Sequence, residues 1–447
     1  MHLELRFSCR TMVETTAARL PPAYHSWLRT QDVAHAGVRF CAAPGRGTYG
    51  VASTDVGAGS VVLTVPKSAM LTVRNSPHAD ALESLLEMGM PPPEVLALAL
   101  ALERRAGAKS RWAPYVDSLP RDAPLPLLWS TAELRHLAGT GLDATSRRRR
   151  ARLAANYRAA AAEWADGELP PLDAVLRAST LVSSRAFDVD SAHGVGLLPL
   201  IDALNHKPAL APAHGGEASD DDDSDDDDDD DDALRRDCAI RIPPAEESDD
   251  DDDEDDDDDD CALIETLRPL RAGEELCLTY GNYGNYELLA GYGFTLDDNP
   301  FETALLCWEH VVAAAEAVLG ARDARRRLAQ LRAEGAAAVG RPFVFDRRAT
   351  APPELAGLLR HLTDDAKSRD AILKRAVKAQ VAGYGSAVAG QKRRRTDDGD
   401  DAAAHAARLV RGELEIWEAA AAGGRALEGR EADAAEAAAA ARRLRVD

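Results

Sequence analysis

Between Glu217 and Asp260 the chain places 28 acidic residues and only three basic ones, Arg235, Arg236 and Arg241. The runs Asp220–Asp223, Asp225–Asp232 and Asp249–Asp260, the last interrupted by Glu254, repel themselves and offer no apolar surface to bury. This insertion is expected to be a disordered, extended loop, so any core must be built from its flanks and closed across it. Closure is cheap, because each doubling of loop length costs only about 0.6 kcal/mol. Two behaviours suit the short island from Ala233 to Pro243, pairing as a strand or staying loose. Outside the segment 50 basic residues face 48 acidic ones. The net charge of −23 therefore describes a segment, and the rest of the chain is nearly neutral.

A chain of 447 residues with 45% hydrophobic residues can fill two domains, or one large domain with an appendage. Wholesale disorder, collagen and coiled coil are excluded by that composition. The six cysteines, Cys9, Cys41, Cys238, Cys261, Cys277 and Cys307, include no C-x-x-C pair. Neither a disulfide framework nor a zinc site has that spacing, so no metal is expected and reduced thiols in an intracellular protein are. No apolar run reaches the roughly 18–20 residues of a membrane span, and no membrane partner is expected. The N-terminal stretch around Arg6 and Arg10 lacks a signal-peptide core, which leaves nucleus, cytoplasm and plastid open as compartments.

Pattern along the chain has a definite order. Pro21-Pro22 opens a helix through Trp27 and Leu28, and β-type runs follow at Val38–Cys41, Tyr49–Ser53 and Ser60–Val65. A helical block runs from about Pro77 to Leu181, including the apolar helix Val95–Leu102 and the Ala/Arg-rich stretch from Arg147 to Trp164. β-type signals return at Gly196–Ile201, Ala262–Leu267 and Glu275–Tyr280. Beyond about Asp297 the pattern predicts helix upon helix, with breaks at Pro352-Pro353 and Gly383-Tyr384-Gly385.

Four clusters could carry chemistry, and each alone has a plain structural explanation. Gly45-Arg46-Gly47-Thr48-Tyr49-Gly50 reads as a turn, and no helix follows it as a dinucleotide fingerprint requires. Asp202-Ala203-Leu204-Asn205-His206 reads as a turn after a strand, Arg185 and Phe187 as a cation beside a core ring, and Tyr280-Gly281 as a packing aromatic before a turn. Taken together and in order, G-R-G-T-Y-G, S-R-A-F, L-P-L-I-D-A-L-N-H and R-A-G-E-E-L-C-L-T-Y-G-N-Y-G-N-Y-E-L-L-A-G-Y-G-F form one pattern. It resembles the SET-domain methyltransferases of the Rubisco large-subunit lysine methyltransferase-like class, over about residues 24–296. The missing zinc cysteines of many histone methyltransferases agree with that branch.

The resemblance implies an α+β fold: a SET-domain β-fold of short strands with an inserted helical block, followed by an all-helical C-terminal domain. Its expected divisions are a poorly ordered stretch 1–20, a SET domain 21–296 and a helical substrate-binding-like domain 297–447. Within the SET domain lie a helical insertion at about 76–182 and the acidic insertion at about 207–260. S-adenosylmethionine is the implied cofactor. Backbone around Gly47, Thr48 and Tyr49 is expected at its amino-acid tail, Arg185 at its carboxylate, and Asp202, Asn205 and His206 at the same pocket. Gly293 and Phe294 are expected to complete the adenine wall. Tyr280 is the implied catalytic residue, and Phe187 and Ile201 line the substrate channel with it.

A protein-lysine N-methyltransferase acting on a protein substrate is the function these residues imply. The apolar pair Phe187 and Ile201 favours a lysine stem, because an imidazole left unpaired there costs about 1–3 kcal/mol. A protein-histidine methyltransferase on the same scaffold is the alternative chemistry, and a non-catalytic acidic histone-binding protein is the alternative class. The Asp-rich insertion reads either as an inert expansion, which its charge alone favours, or as a docking surface for basic proteins such as histone tails. Of the two basic runs, Arg147–Arg150 with Arg152 reads as a solvated helix face and Lys392–Arg395 as an import signal. Neither predicts a nucleic-acid partner.

Overall fold

The computed structural model describes residues 18–43, 47–164, 166–209, 236–244, 260–333, 340–385, 387 and 401–421. The acidic runs apart from Asp260, the stretch Lys392–Arg395, Arg6, Arg10, Cys9, Gly45 and Arg46 lie outside these residues. No helix among the described residues is long and apolar enough to cross a membrane. The chain divides into two compact units. One takes the described residues up to Ala123 with Ala154–Asn282, and the other takes Pro124–Leu153 with those from Tyr283 onward.

The first unit is built on short strands. β1 (Ala18–Arg19), β3 (Val38–Ala43) and β4 (Gly47–Ala52) lie side by side, with β2 (Ala34–His35) and β5 (Val61–Pro66) in a second sheet. Ala18 and Arg19 pair with Ala42 and Cys41. Along β3 the alternation of buried Val38 and Phe40 with exposed Arg39 is the period-two pattern of a half-buried strand. β6 (Leu71–Thr72), β7 (Ala186–Asp190) and β8 (Gly194–Leu197) make a three-stranded sheet in the order β6-β8-β7. β9 (Asn205–His206) and β12 (Glu275–Leu278) extend the first sheet to β1-β3-β4-β12-β9. β10 (Cys238–Arg241) and β11 (Cys261–Thr266) extend the second to β10-β11-β5-β2. The island within the acidic insertion therefore pairs as a strand, Cys238 to Arg241 against Thr266 to Leu263. The expected strand Gly196–Ile201 is shorter than its apolar run: it ends at Leu197, and Ile201–Ala203 is a 3-10 turn.

Helices cover these sheets. α1 (Pro22–Thr30) buries Tyr24, Trp27 and Leu28, spaced so as to share one face. α2 (Ala79–Glu87), α3 (Pro92–Ala106) and α4 (Ala113–Ser118) follow. Prolines at the start of α3 lose nothing, since the first turn has no use for their missing N–H groups. Val95–Leu102 is buried all round because α3 packs on both α7 (Leu172–Arg185) and β8, so its apolar run shows no polar face. Between them, α5 (Thr131–Leu134) and the start of α6 (Leu142–Glu163) belong to the second unit.

In that second unit Trp129, Leu134, Leu137 and Leu142 are buried with Tyr286, Leu289, Ala406 and Leu409. This shared core groups part of the inserted helical block with the C-terminal region, and the second unit resumes at Tyr283. α8 (Asn285–Gly291), α9 (Trp308–Leu319), α10 (Ala321–Ala333), α11 (Pro353–Leu362), α12 (Ala366–Gly383) and α13 (Ala402–Ala421) build the rest. The expectation of an all-helical region is corrected by β13 (Thr303–Leu306), which pairs antiparallel with β14 (Phe343–Asp346). Ala304, Leu306, Phe343 and Phe345 alternate into the core from these two four-residue strands. Such short runs, set among alanine-rich helices, give little periodic signal.

Candidate active site

The apolar run after β8 makes a sharp turn. Leu200 takes φ +68, a left-handed backbone that costs free energy for a residue with a Cβ. The following 3-10 turn is held by Asp202 N–H donating to Leu198 O (3.0 Å) and Leu204 N–H to Ile201 O (3.1 Å). Asn205 and His206 then run parallel to β12, aligned with Cys277 and Leu278. This register brings Tyr280, two residues past the end of β12, back over the turn. Its hydroxyl donates to Leu204 O at 2.7 Å and its backbone N–H to His206 Nδ1 at 3.1 Å. The two rings lie 5.0 Å apart. Gly50 of β4 eases the approach: a Cβ there would sit 2.9 Å from Leu204 Cδ2, and that side-chain tip would have to shift.

The electrostatics follow from burial. With Nδ1 accepting a hydrogen bond, a neutral His206 carries its proton on Nε2. Burial lowers His206 to about 4, so the ring is uncharged at neutral pH. Burial also pushes the Tyr280 phenol well above its usual range, against the opposing charge of Arg185. Asp202 is raised by burial to about 6, opposed by Arg185 and by the hydroxyl of Tyr115, which donates to Asp202 Oδ2 at 2.7 Å. Arg185, the last residue of α7, donates from Nη1 to Asp202 O at 2.7 Å. Asn205 spends its side-chain amide on Glu275 Oε1 at 2.8 Å.

Solved structures share this fold. The SET domain of LSMT bound to lysine and AdoHcy superposes with a TM-score of 0.61 at 19% identity, over 95% of this chain and 94% of that one. Rubisco LSMT bound to AdoMet gives 0.59 at 18% identity, over 93% and 92%. The chain folds as a SET domain of the Rubisco LSMT type.

Curated relatives of this SET chain agree with that fold. The ribosomal lysine N-methyltransferase set10 of Schizosaccharomyces pombe is 27% identical over 221 residues, 48% of this chain and 34% of that protein. The chloroplastic [fructose-bisphosphate aldolase]-lysine N-methyltransferase of Arabidopsis thaliana is 29% identical over 208 residues, 42% and 40%. Protein SET DOMAIN GROUP 40 of the same plant is 27% identical over 270 residues, 57% and 52%. The matches thus span from about a third to about half of these relatives' own lengths. No family model matches the chain.

Within the SET fold, Gly47, Thr48, Tyr49, Arg185, Phe187, Ile201, Asp202, Asn205, His206 and Tyr280 all fall in the first unit. Gly293 and Phe294 fall in the second, where Gly293 packs on Pro124 and Leu125 and Phe294 lies 6.3 Å from the Tyr292 ring. Gly47 and Thr48 start β4, whose pairing with β12 covers only Gly50 and Val51. Among the described residues no strand pairs with the β12-side edge of β4 over 47–49. The Tyr49 ring points into a core with Cys41 and Val51, so it offers a ligand backbone only. Ile201 is wholly buried, and Phe187 is half-buried on β7. Two residues escaped the sequence reading. Glu275 was visible only as part of a strand, and Tyr115 lies 87 positions from its partner with no local signal.

Proposed function

We propose that the protein is an S-adenosylmethionine-dependent protein-lysine N-methyltransferase. The observation that carries this reading is the double anchoring of Tyr280, hydroxyl on Leu204 O and N–H on His206, in a fold otherwise seen with AdoHcy and lysine bound. The donor set suits the cofactor. Arg185 offers a guanidinium for its carboxylate, with one donor already fixed on the turn. At Gly47, φ +73, an added Cβ would meet nothing within 4 Å among the described residues, which suits a close approach of the cofactor's tail to the start of β4. His206 is neutral and sets no second cation beside a sulfonium.

When bound, S-adenosylmethionine supplies a methyl group on a cationic sulfur that leaves as a neutral thioether. Every other task falls to the chain. Tyr280 remains a phenol at working pH, so it does not serve as a general base. Its part is to shape the channel and hold the incoming nitrogen in line, and orientation of this kind contributes as much as about 7–11 kcal/mol. Loss of the lysine proton is favoured by burying the ammonium in apolar surroundings. Phe187, with Ile201 behind the channel wall, suits the methylene stem of lysine at about 0.8 kcal/mol per buried CH₂. The same lining leaves an imidazole nitrogen of a histidine substrate without a partner.

Calorimetry with S-adenosylhomocysteine tests the cofactor, and absence of binding by the folded chain would overturn the assignment. Labelled methyl transfer into a cell extract, with mass-spectrometric site mapping, tests the substrate. Modified lysines are expected, and modified histidines would replace the lysine reading. Loss of a basic substrate on deleting the acidic segment would assign that segment a docking role. Imaging the tagged chain distinguishes nucleus, cytoplasm and plastid as its place of work.

A further inference from the structure

We infer that Tyr115, on the inserted helix α4, is a positioning residue that locks the turn carrying Asn205, His206 and the anchor of Tyr280. Its hydroxyl donates to Asp202 Oδ2 at 2.7 Å, and both side chains are buried, Tyr115 to 1% exposure and Asp202 to 7%. Asp202 is the middle residue of the 3-10 turn. One residue on each side of it the backbone is committed: Ile201 O accepts from Leu204 N–H, and Ala203 N–H donates to the strained Leu200. Leu204 O receives the Tyr280 hydroxyl, and His206 Nδ1 receives the Tyr280 N–H. Fixing the Asp202 side chain therefore fixes both ends of Tyr280 through a single short turn.

Tyr115 is itself held rigidly. Its ring stacks at 6.0 Å on Trp27, whose indole N–H donates to Arg111 O, and lies 6.2 Å from Tyr24. The groups acting on the Asp202 carboxyl are Tyr115 from α4, Tyr24 from α1, Arg185 from α7 and Tyr280 beyond β12. Burial penalises the carboxylate, so losing the phenol donor would leave a buried acceptor unsatisfied in a turn already strained at Leu200. The turn would then relax and admit water to His206, whose low pKa depends on its dry setting.

The significance for donor binding rests on the methyltransferase reading, whereas the mechanical role does not. The test uses the full chain with Tyr115→Phe, which keeps the ring. Two readouts are taken: the His206 titration by NMR of labelled histidine, and calorimetric affinity for S-adenosylhomocysteine. Expected are a rise of about one pH unit or more in the His206 midpoint and a roughly tenfold loss of affinity. Asp202→Asn, which keeps an acceptor for Tyr115, should hold the His206 midpoint near wild type, and Asp202→Ala should reproduce Tyr115→Phe. If Tyr115→Phe does not fold, Asp202→Ala set against Asp202→Asn makes the same comparison. Tyr384→Phe controls for the general loss of a buried hydroxyl, because Tyr384 donates to Glu413 in the second unit. An unmoved His206 titration, or an equal shift in the Tyr384 control, overturns the proposal. A wild-type chain that ignores S-adenosylhomocysteine overturns the methyltransferase reading and leaves the titration to judge Tyr115.

Discussion

At Tyr280 the hydroxyl and the ring can be separated experimentally. Tyr280→Phe keeps the ring against His206 and removes the contact with Leu204 O. Turnover should fall about tenfold to a thousandfold with donor affinity little changed, because the hydroxyl anchors the ring that orients the incoming nitrogen, and lost orientation acts on kcat. Full activity on the mapped substrate would take Tyr280 out of the mechanism. The Asn205 amide is tied to Glu275, so these two residues should act as a pair. Asn205→Ala is expected to weaken S-adenosylhomocysteine binding about tenfold, and Glu275→Ala to reproduce most of that loss. Adding Glu275→Ala to Asn205→Ala should then cost little more, and fully additive losses in calorimetry would show the pair to be independent.

At the scale of elements, the meeting of α8, β13 and α13 in the second unit buries three carboxyl groups. Asn285 donates its backbone N–H to Glu302 Oε1 at 2.9 Å, and the Tyr384 hydroxyl donates to Glu413 Oε2 at 2.6 Å. Burial raises Glu302 to about 7, lifts Glu287, and lifts Glu413 well above the usual carboxylate range. Among the described residues, Glu413 Oε1, Glu287 Oε2 and Thr303 Oγ1 have no hydrogen-bond partner. Folded carboxyls with raised pKa values bind protons more tightly than the unfolded chain does. Their contribution is complete below the unfolded value of 4.5 and is lost as pH rises through 7 and beyond. For Glu302 alone that loss is up to about 3 kcal/mol. The second unit should therefore melt at a lower temperature at pH 9 than at pH 5.5. Glu413→Gln, neutral at every pH, should flatten the dependence. A melting temperature that rises with pH would contradict the protonated cluster.

For the molecule as a whole, the described residues that flank the acidic runs are fixed in the first unit. Lys67 holds one pair of ends, donating its backbone N–H to Asp260 O (2.8 Å) and Nζ to Pro243 O (2.9 Å). Asp237 holds another, accepting from Lys207 and Arg268 at 2.8 and 2.7 Å. Replacing Ser219–Asp232 and Ser248–Asp259 with short Gly/Ser linkers should leave melting temperature and donor affinity nearly unchanged, because runs of like charge contribute no core. A collapse in calorimetry would make the segment structural. Salt-sensitive loss of one substrate, with the fold intact, would make it a docking surface.

What the sequence determined by itself was whatever local chemistry encodes. Short β-type runs between turn residues placed β3, β4, β5, β11 and β12, and proline starts placed α1 and α3, because strand and first-turn geometry act over a few residues. The order of the short motifs was enough to name the fold and to single out Asn205, His206 and Tyr280. Tertiary structure decided the rest. It set Asn205 and His206 parallel to β12, tied the Asn205 amide to Glu275, and brought Tyr115 to Asp202 across 87 positions. It also sent the Tyr49 ring into a core and divided the inserted helical block between two units. Contacts of this kind follow from which surfaces are buried together, and burial is a property of the assembled fold that no local window of sequence carries.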